Sequence, residues 1–309
     1  MSLENFKPEV FSTTCLTQRD IKTVALPLCD RSFEGDFKQG SRVHIPGVGS
    51  PTTHDLIMSG ANRGMFVDGS GNKITAEDIE DEGAEFTIDQ GKFILFKTNE
   101  IDELQQSQDA ATRFMANNSN NMVIEQDSYV YKLIKAGAGA TFTGTSLNSQ
   151  NAYGIFCDAI ATLFANQSAL TPNDITIEVH PYIANVIRKA LQYHSTPNDL
   201  SNGNTGIVVN GVTVYQSNNT ITTDSSGTQL TSIPTISAAI SGANVFHGVI
   251  RTRRSIVFAE PKVMTWKSYD LAGDGVGTGM KAWYYYGGKV LYPNETVDLS
   301  LTLGAEVNI

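Results

Sequence analysis

Cysteine is scarce and unpatterned in this chain: Cys15, Cys29 and Cys157 are odd in number and far apart, with no CxxC pair. That spacing excludes a zinc ribbon, a dithiol redox motif and a disulfide framework, and predicts free thiols in a reducing compartment. Charge is scarce as well. Charged residues make up only 17% of the chain against 40% hydrophobic ones, a balance that fits extensive buried or partner-covered surface better than a freely solvated monomer. Positive charge is the scarcer sign: 22 Lys and Arg face 32 Asp and Glu, for a net charge of -10, which argues against tight binding to nucleic-acid phosphates. No apolar run approaches the roughly 18 residues that span a bilayer, so no membrane partner is expected. The start, Met1-Ser2-Leu3-Glu4-Asn5-Phe6-Lys7-Pro8, lacks the basic and apolar regions of a signal peptide, and the chain is expected to be made and kept in the cytoplasm.

Catalytic and cofactor motifs are equally thin. The five histidines, His44, His54, His180, His194 and His247, show no HxxxH or HExxH spacing, and there is no Gly-x-Ser-x-Gly elbow to present a nucleophile. Gly47-Val48-Gly49 and Gly137-Ala138-Gly139-Ala140 do not complete a dinucleotide fingerprint, and no Gly-Lys-Ser/Thr phosphate loop occurs, so both strings read as hinges. Asp68-Gly69-Ser70-Gly71-Asn72 imitates the first ligands of a calcium loop, but Lys73 replaces the sharp-turn glycine and Ile79 the bidentate glutamate. It reads as a polar turn. Arg251, Arg253 and Arg254 form the one compact basic cluster. Strand alternation would put Arg251 and Arg253 on one face, solvated or ion-paired with a second subunit, since no aromatic interleaving marks a nucleic-acid site. Glycosylation acceptor patterns such as those at Asn117, Asn218 and Asn294 carry no weight without a signal peptide. No catalytic, cofactor-binding or metal-ligating residue is therefore assigned, and no cofactor is expected.

What is present is organisation. A chain of 309 residues suggests two lobes or one large mixed domain. The Thr- and Ser-rich first thirty residues read as an arm with one short helical start at Pro8 and Glu9. Strands are expected at Arg42–Ile45, Glu85–Ile88 and Lys92–Phe96. Between the first two lies a long polar stretch, rich in glycine and closed by Glu77, Asp78, Glu80, Asp81 and Glu82. A loop of that length is functional or covered by a partner, and it is expected to project. Between Gly91 and Gly137 there is neither Gly nor Pro, so a long helix is expected from about Asn99 to Lys135, roughly 55 Å at ~1.5 Å per residue. Asn99 would cap it, Asp102 and Glu103 would face its positive end, and the run Asn117-Asn118-Ser119-Asn120-Asn121 is its expected bend or break.

After a flexible segment, Ala136 to Asn148, helix and strand alternate. Ala152, Phe156, Ile160, Leu163 and Phe164 mark a helix face, Ile175–Val179 a strand, and Pro181 opens a second helix. Asn210-Gly211 supplies the two positive φ values of a type I′ hairpin. Strands are then expected at Ser255–Ala259, Lys262–Trp266, Ala282–Tyr286 and Val297–Leu303, with a glycine-rich link at Gly273–Gly279. The fold class is α+β with one dominant helix.

This order of parts resembles the major capsid proteins of tailed bacteriophages, the Hong Kong 97-type coat fold. Arg31-Ser32-Phe33-Glu34-Gly35-Asp36-Phe37 with Gly40 and Val43-His44-Ile45 is similar to the family's aromatic-Glu-Gly turn into its extended loop. Phe86-Thr87-Ile88-Asp89 and Lys92-Phe93-Ile94-Leu95-Phe96-Lys97, then Asn99 to Gln106, resemble the returning strands and the start of the spine helix. Ile175-Thr176-Ile177-Glu178-Val179-His180-Pro181-Tyr182 and the Asn210-Gly211 hairpin resemble the axial domain, and Tyr286-Gly287-Gly288-Lys289-Val290 with Pro293 the closing strands. The resemblance implies an N-terminal arm over 1–30, an extended loop over 31–97, a peripheral domain from 98–145 and 262–309, and an axial domain over 146–261.

It also implies a function: self-association as hexamers and pentamers into an icosahedral head around a double-stranded DNA genome, with a portal as a further partner. DNA would be enclosed without sequence-specific binding. Because the chain begins so close to the arm, scaffolding is expected from a separate protein or not at all. No Lys or Asn matches the cross-linking chemistry of some members, so none is carried over. The charges of the opening turn, Asp30, Arg31, Glu34, Asp36, Lys38 and Arg42, become candidates for contacts between subunits. A bacterial nanocompartment shell enclosing protein cargo is the alternative on the same fold, and an enzyme with a site assembled from distant residues is the alternative outside it.

Overall fold

The computed structural model describes residues 23–38, 42–47, 52–56, 58, 64–67, 72–75, 78, 83–99, 110–166, 170–194, 207–240, 243–270 and 277–305. Two compact units divide the chain, Asp36–Thr87 and the remainder. In the smaller, β1 (Arg42–Ile45) and β2 (Ala84–Thr87) pair antiparallel, with Val43 opposite Phe86. Both strands stand close to where the alternation of apolar and polar residues places them.

The larger unit is built on two sheets. A three-stranded antiparallel sheet has the order β10-β11-β3, from β3 (Gln90–Asn99), β10 (Ile256–Asp270) and β11 (Gly277–Val290). A seven-stranded mixed sheet contains β4 (Ala140–Leu147), β5 (Ile175–Val179), β6 (Ile207–Val209), β7 (Val212–Gln216), β8 (Thr222–Asp224), β9 (Asn244–Thr252) and β12 (Thr296–Leu303). Its order is β4-β12-β9-β5-β7-β6, with β8 also on β9. β12 lies between β4, to which it is parallel, and β9, to which it is antiparallel.

The long helix α1 runs Ala110–Gly137. Asn99 ends β3 instead of capping a helix, and the expected first turn, with Asp102 and Glu103, lies outside the described residues. The helix continues unbroken through Asn117–Asn121. Ser119 Oγ donates back to Met115 O at 3.1 Å, so this polar side chain joins the helical ladder instead of competing with it. Further along, Val130, Tyr131 and Ile134 are fully buried, and that packing outweighs the few tenths of a kcal/mol by which each Asn disfavours helix.

The two faces of the seven-stranded sheet carry separate cores. Helices α2 (Ala152–Asn166) and α3 (Pro181–His194) bring Phe156, Ile160, Leu163, Ile183 and Ile187 onto Ile177, Phe246, Ile250 and Leu299. The short α4 (Ile236–Ile240) adds Ala239. A second core gathers Ala25, Leu26 and Cys29 with Val130, Tyr131 and Ile134 of α1, Val249 of β9 and Ile256, Phe258, Tyr284 and Tyr286 of the three-stranded sheet. Asn210 (φ 49°) and Gly211 (φ 82°) make the β6–β7 hairpin turn as expected.

Three expectations change. The segment expected to be flexible contains β4, whose threonines suit a pleated surface and whose backbone pairs with β12. The two strands expected at 255–266 are one strand, β10, whose register slips between Ala259 and Lys262, where Pro261 can donate no ladder hydrogen bond. Gly277 and Gly279 belong to β11 and not to a link, while 271–276 and the helical start at Pro8 lie outside the described residues.

Candidate assembly surface and its anchor

Arg251 is wholly buried, which sequence reasoning did not foresee. Its Nε donates to Glu178 Oε1 at 2.6 Å, Nη2 to Ala25 O at 3.0 Å, and Nη1 to Leu28 O at 2.9 Å and Cys29 Sγ at 3.4 Å. Glu178, equally buried, accepts from Tyr131 Oη at 2.8 Å on its other oxygen. One ion pair thus joins β9, β5, α1 and the N-terminal segment. Burial pushes the Cys29 thiol up, and burial with the Glu178 charge pushes the Tyr131 hydroxyl well up, so both stay neutral beside the pair.

The same segment is held along its length. Val24 N and Asn219 Nδ2 donate to Asp127 Oδ2 at 3.1 and 3.2 Å, and burial raises that carboxyl above its ordinary range. Asp30 N donates to Ile256 O (2.8 Å) and Phe258 N to Asp30 O (3.0 Å), a parallel bridge to β10. Asp30 Oδ1 accepts Ser32 N at 2.9 Å, and Glu34 Oε1 takes both Arg31 Nη2 (2.6 Å) and Glu260 N (2.9 Å). Asp30, Arg31 and Glu34, offered above for contacts between subunits, thus also bond within the subunit. Arg42 pairs with Glu85 across the β1–β2 hairpin at 3.4 Å, and the Asp36 and Lys38 side chains lie outside the described residues.

The basic cluster is also taken apart by the fold. β9 ends at Thr252, and Arg253–Ser255 form a 3-10 turn, so Arg251 and Arg253 do not share a strand face. Arg254 forms a two-pronged ion pair with Glu295, which also accepts Thr252 Oγ1 at 2.5 Å. Burial raises the Glu295 carboxyl, yet these bonds outweigh it and hold it below its ordinary value.

His247 lies between Asp298 Oδ2 (Nδ1, 3.3 Å) and Thr223 Oγ1 (Nε2, 3.3 Å). Acid, imidazole and hydroxyl are in the order of a catalytic row, but Thr223 is 2% and Asp298 4% exposed, which leaves no surface for a substrate. The row fastens β8, β9 and β12 together. The calcium-like Asp68–Gly71 lies outside the described residues, and among the described residues no three His, Cys, Asp or Glu gather as metal ligands. Nor is any described helix long and apolar enough to cross a membrane.

The solvent side is where this chain is unusual. In the Asp36–Thr87 unit, Leu56, Met58, Met65 and Phe66 are exposed, Phe66 to 78%, and a cavity of about 190 Å³ is lined by His54, Asp55, Leu56, Met65, Phe66 and Ile74. In the larger unit Phe93, Leu95 and Tyr285 are exposed on the three-stranded sheet. Apolar side chains grouped in this way mark interaction surfaces, and the long polar composition around Leu56 and Phe66 hid them.

Residues 96–297 match the family model described as phage capsid protein. The chain belongs to that family. Among solved structures the capsid protein is similar to a chain of Mycobacterium phage Che8, at 22% identity and a TM-score of 0.73 over 96% of this chain and 98% of that one. It is similar also to the capsid of cyanophage P-SCSP1u (15%, TM-score 0.67, 98% and 95%) and to the mature capsid of bacteriophage PhiM1 (14%, TM-score 0.66, 96% and 92%). At these identities the likeness is one of fold, the Hong Kong 97-type capsid fold expected above. No curated protein matches the chain. The capsid protein is a structural component of the virion that associates with copies of itself into a shell.

Proposed function

We propose that this capsid protein builds an icosahedral head from hexamers and pentamers around double-stranded DNA, without itself catalysing a reaction. Assembly takes place in the host cytoplasm, with a portal and a separate scaffolding protein as partners. Residues 1–30 serve as the arm and 31–97 as the extended loop. The peripheral domain is formed from 98–145 and 262–309, and the axial domain is 146–261. The observation that carries this reading is the exposure of Leu56, Met58, Met65 and Phe66 in the Asp36–Thr87 unit, apolar surface that a lone subunit leaves in water and a neighbour would cover. The net charge of -10 would keep packaged DNA from adhering to the wall. The test is expression alone and with a scaffolding partner, followed by negative-stain microscopy and sedimentation. Hollow particles of uniform size are expected; a monomer persisting under all assembly conditions overturns the reading.

A further inference from the structure

Strand β12 carries an apolar rhythm that the sequence continues beyond it. Val297, Leu299, Leu301 and Leu303 are buried in the core that α2, α3 and Ala239 of α4 cover, while Ser300 and Thr302 between them are partly exposed. Gly304 N donates to Leu147 O at 2.9 Å, and a Cβ on Gly304 would lie 2.8 Å from Ser146 O, so the path of the chain is closely fixed up to that residue. Beyond it the sequence reads Ala305-Glu306-Val307-Asn308-Ile309. Counted by twos, the period of a strand, Ala305, Val307 and Ile309 continue the apolar row of Leu303, and Glu306 and Asn308 continue the polar row of Ser300 and Thr302.

The surface at that end of β12 has a gap of matching chemistry. A cavity of about 40 Å³ opens where α3, α4 and the end of β12 meet, with Val186, Ile236, Ile240, Leu303 and Gly304 in its wall. Ile236 is 51% exposed although the same helix sends Ala239 into the core. With only five residues, α4 is too short to be stable by itself and depends on what packs against it. The chain leaves the cavity wall at Gly304, so the residues that follow are its nearest candidates to fill it. In extended form 306–309 span roughly 13 Å, enough to cross α4, which is roughly 8 Å long. We propose that segment 306–309 continues the line of β12 across α4 of its own chain, with Val307 and Ile309 against Val186, Ile236 and Ile240 and with Glu306 and Asn308 facing water. This clasp holds α4 on the core and takes Ile236 out of water, so that this apolar edge is not offered to a second copy.

Hydrogen exchange read by mass spectrometry tests it on the unassembled subunit. Removing 306–309, or substituting V307D/I309D, should speed amide exchange over Ile236–Ile240 by roughly tenfold or more while the circular dichroism spectrum is kept. E306K/N308K, on the water side, should leave that exchange unchanged. In a second experiment the full chain carries p-benzoylphenylalanine in place of Ile236 and is irradiated as a mixture of light and heavy-nitrogen subunits. Cross-links to 305–309 in single-isotope peptides are expected. Equal exchange with and without the segment overturns the clasp, as does an equal loss of protection in E306K/N308K. Mixed-isotope cross-links also overturn it, because they assign the cover to a second copy, and so do cross-links that miss 305–309. If the shortened chain fails to fold, the cross-link in the full chain decides.

Discussion

Arg251 shows how much one side chain can organise when all its donors are used. Removing a partner from a buried ion pair leaves the other charge unpaired, a loss of about 3–5 kcal/mol, whereas exchanging both for apolar residues is far milder. Arg251→Met should therefore lower the unfolding free energy of the unassembled subunit by that amount, and Arg251→Met with Glu178→Leu should recover part of it, as measured by urea denaturation. His180 gives a test of sign. Its Nδ1 accepts Tyr182 N at 3.2 Å, and burial lowers the imidazole from 6.5 to about 4. Between those values the unfolded chain binds a proton that the folded chain refuses. Stability from this group is complete above about pH 6.5 and falls by about 3 kcal/mol as the pH approaches 4. His180→Asn keeps an acceptor for the Tyr182 amide and should flatten that part of the pH profile, measured by denaturation at several pH values. Neither residue announced its role. Arg251 stands in Arg251-Thr252-Arg253-Arg254, which reads as surface, because its partners lie 73 positions away at Glu178 and 226 away at Ala25.

Among the elements, those with a local cause were legible. The Asn210-Gly211 turn needs only its own two residues, and Gly211→Ala, with φ at 82°, should cost about 1–2 kcal/mol in thermal denaturation. Helices α2 and α3 carry their periodicity in their own sequences. β4 does not: Ala140-Thr141-Phe142-Thr143-Gly144 looks like a hinge until β12 lies beside it. The Asn-rich centre of α1 misled for the opposite reason, since local preference argued for a break while packing further along held the helix whole. Asn121 is exposed on that helix, so Asn121→Ala should stabilise the subunit by about 0.5 kcal/mol, again by thermal denaturation.

At the scale of the molecule, the order of parts pointed to the right family, while the exposed apolar side chains were not readable from motifs. Asp30, Arg31 and Glu34 bond within the chain to partners their sequence did not announce, and Phe93 and Leu95 lie in a legible strand whose solvent side was not legible. The reason is physical. Exposure is a property of the sheet face on which a residue falls, and that is fixed by pairing across the whole chain. Deleting Gly47 to Glu82 should leave the larger unit folded, as read by near-ultraviolet circular dichroism, but abolish particles; loss of the folded signal would show that the loop is core. The placing of β12 has a consequence during synthesis. Ser146 N donates to Thr302 Oγ1 across 156 positions, and β9 and β4 can join one sheet only after β12 has been inserted between them. At about 5–20 residues per second a ribosome needs roughly 10–30 seconds to cover that interval. A chain broken off by a premature stop lacks the strand that unites its sheet, so unfinished translation products would be excluded from the growing head by their own inability to fold.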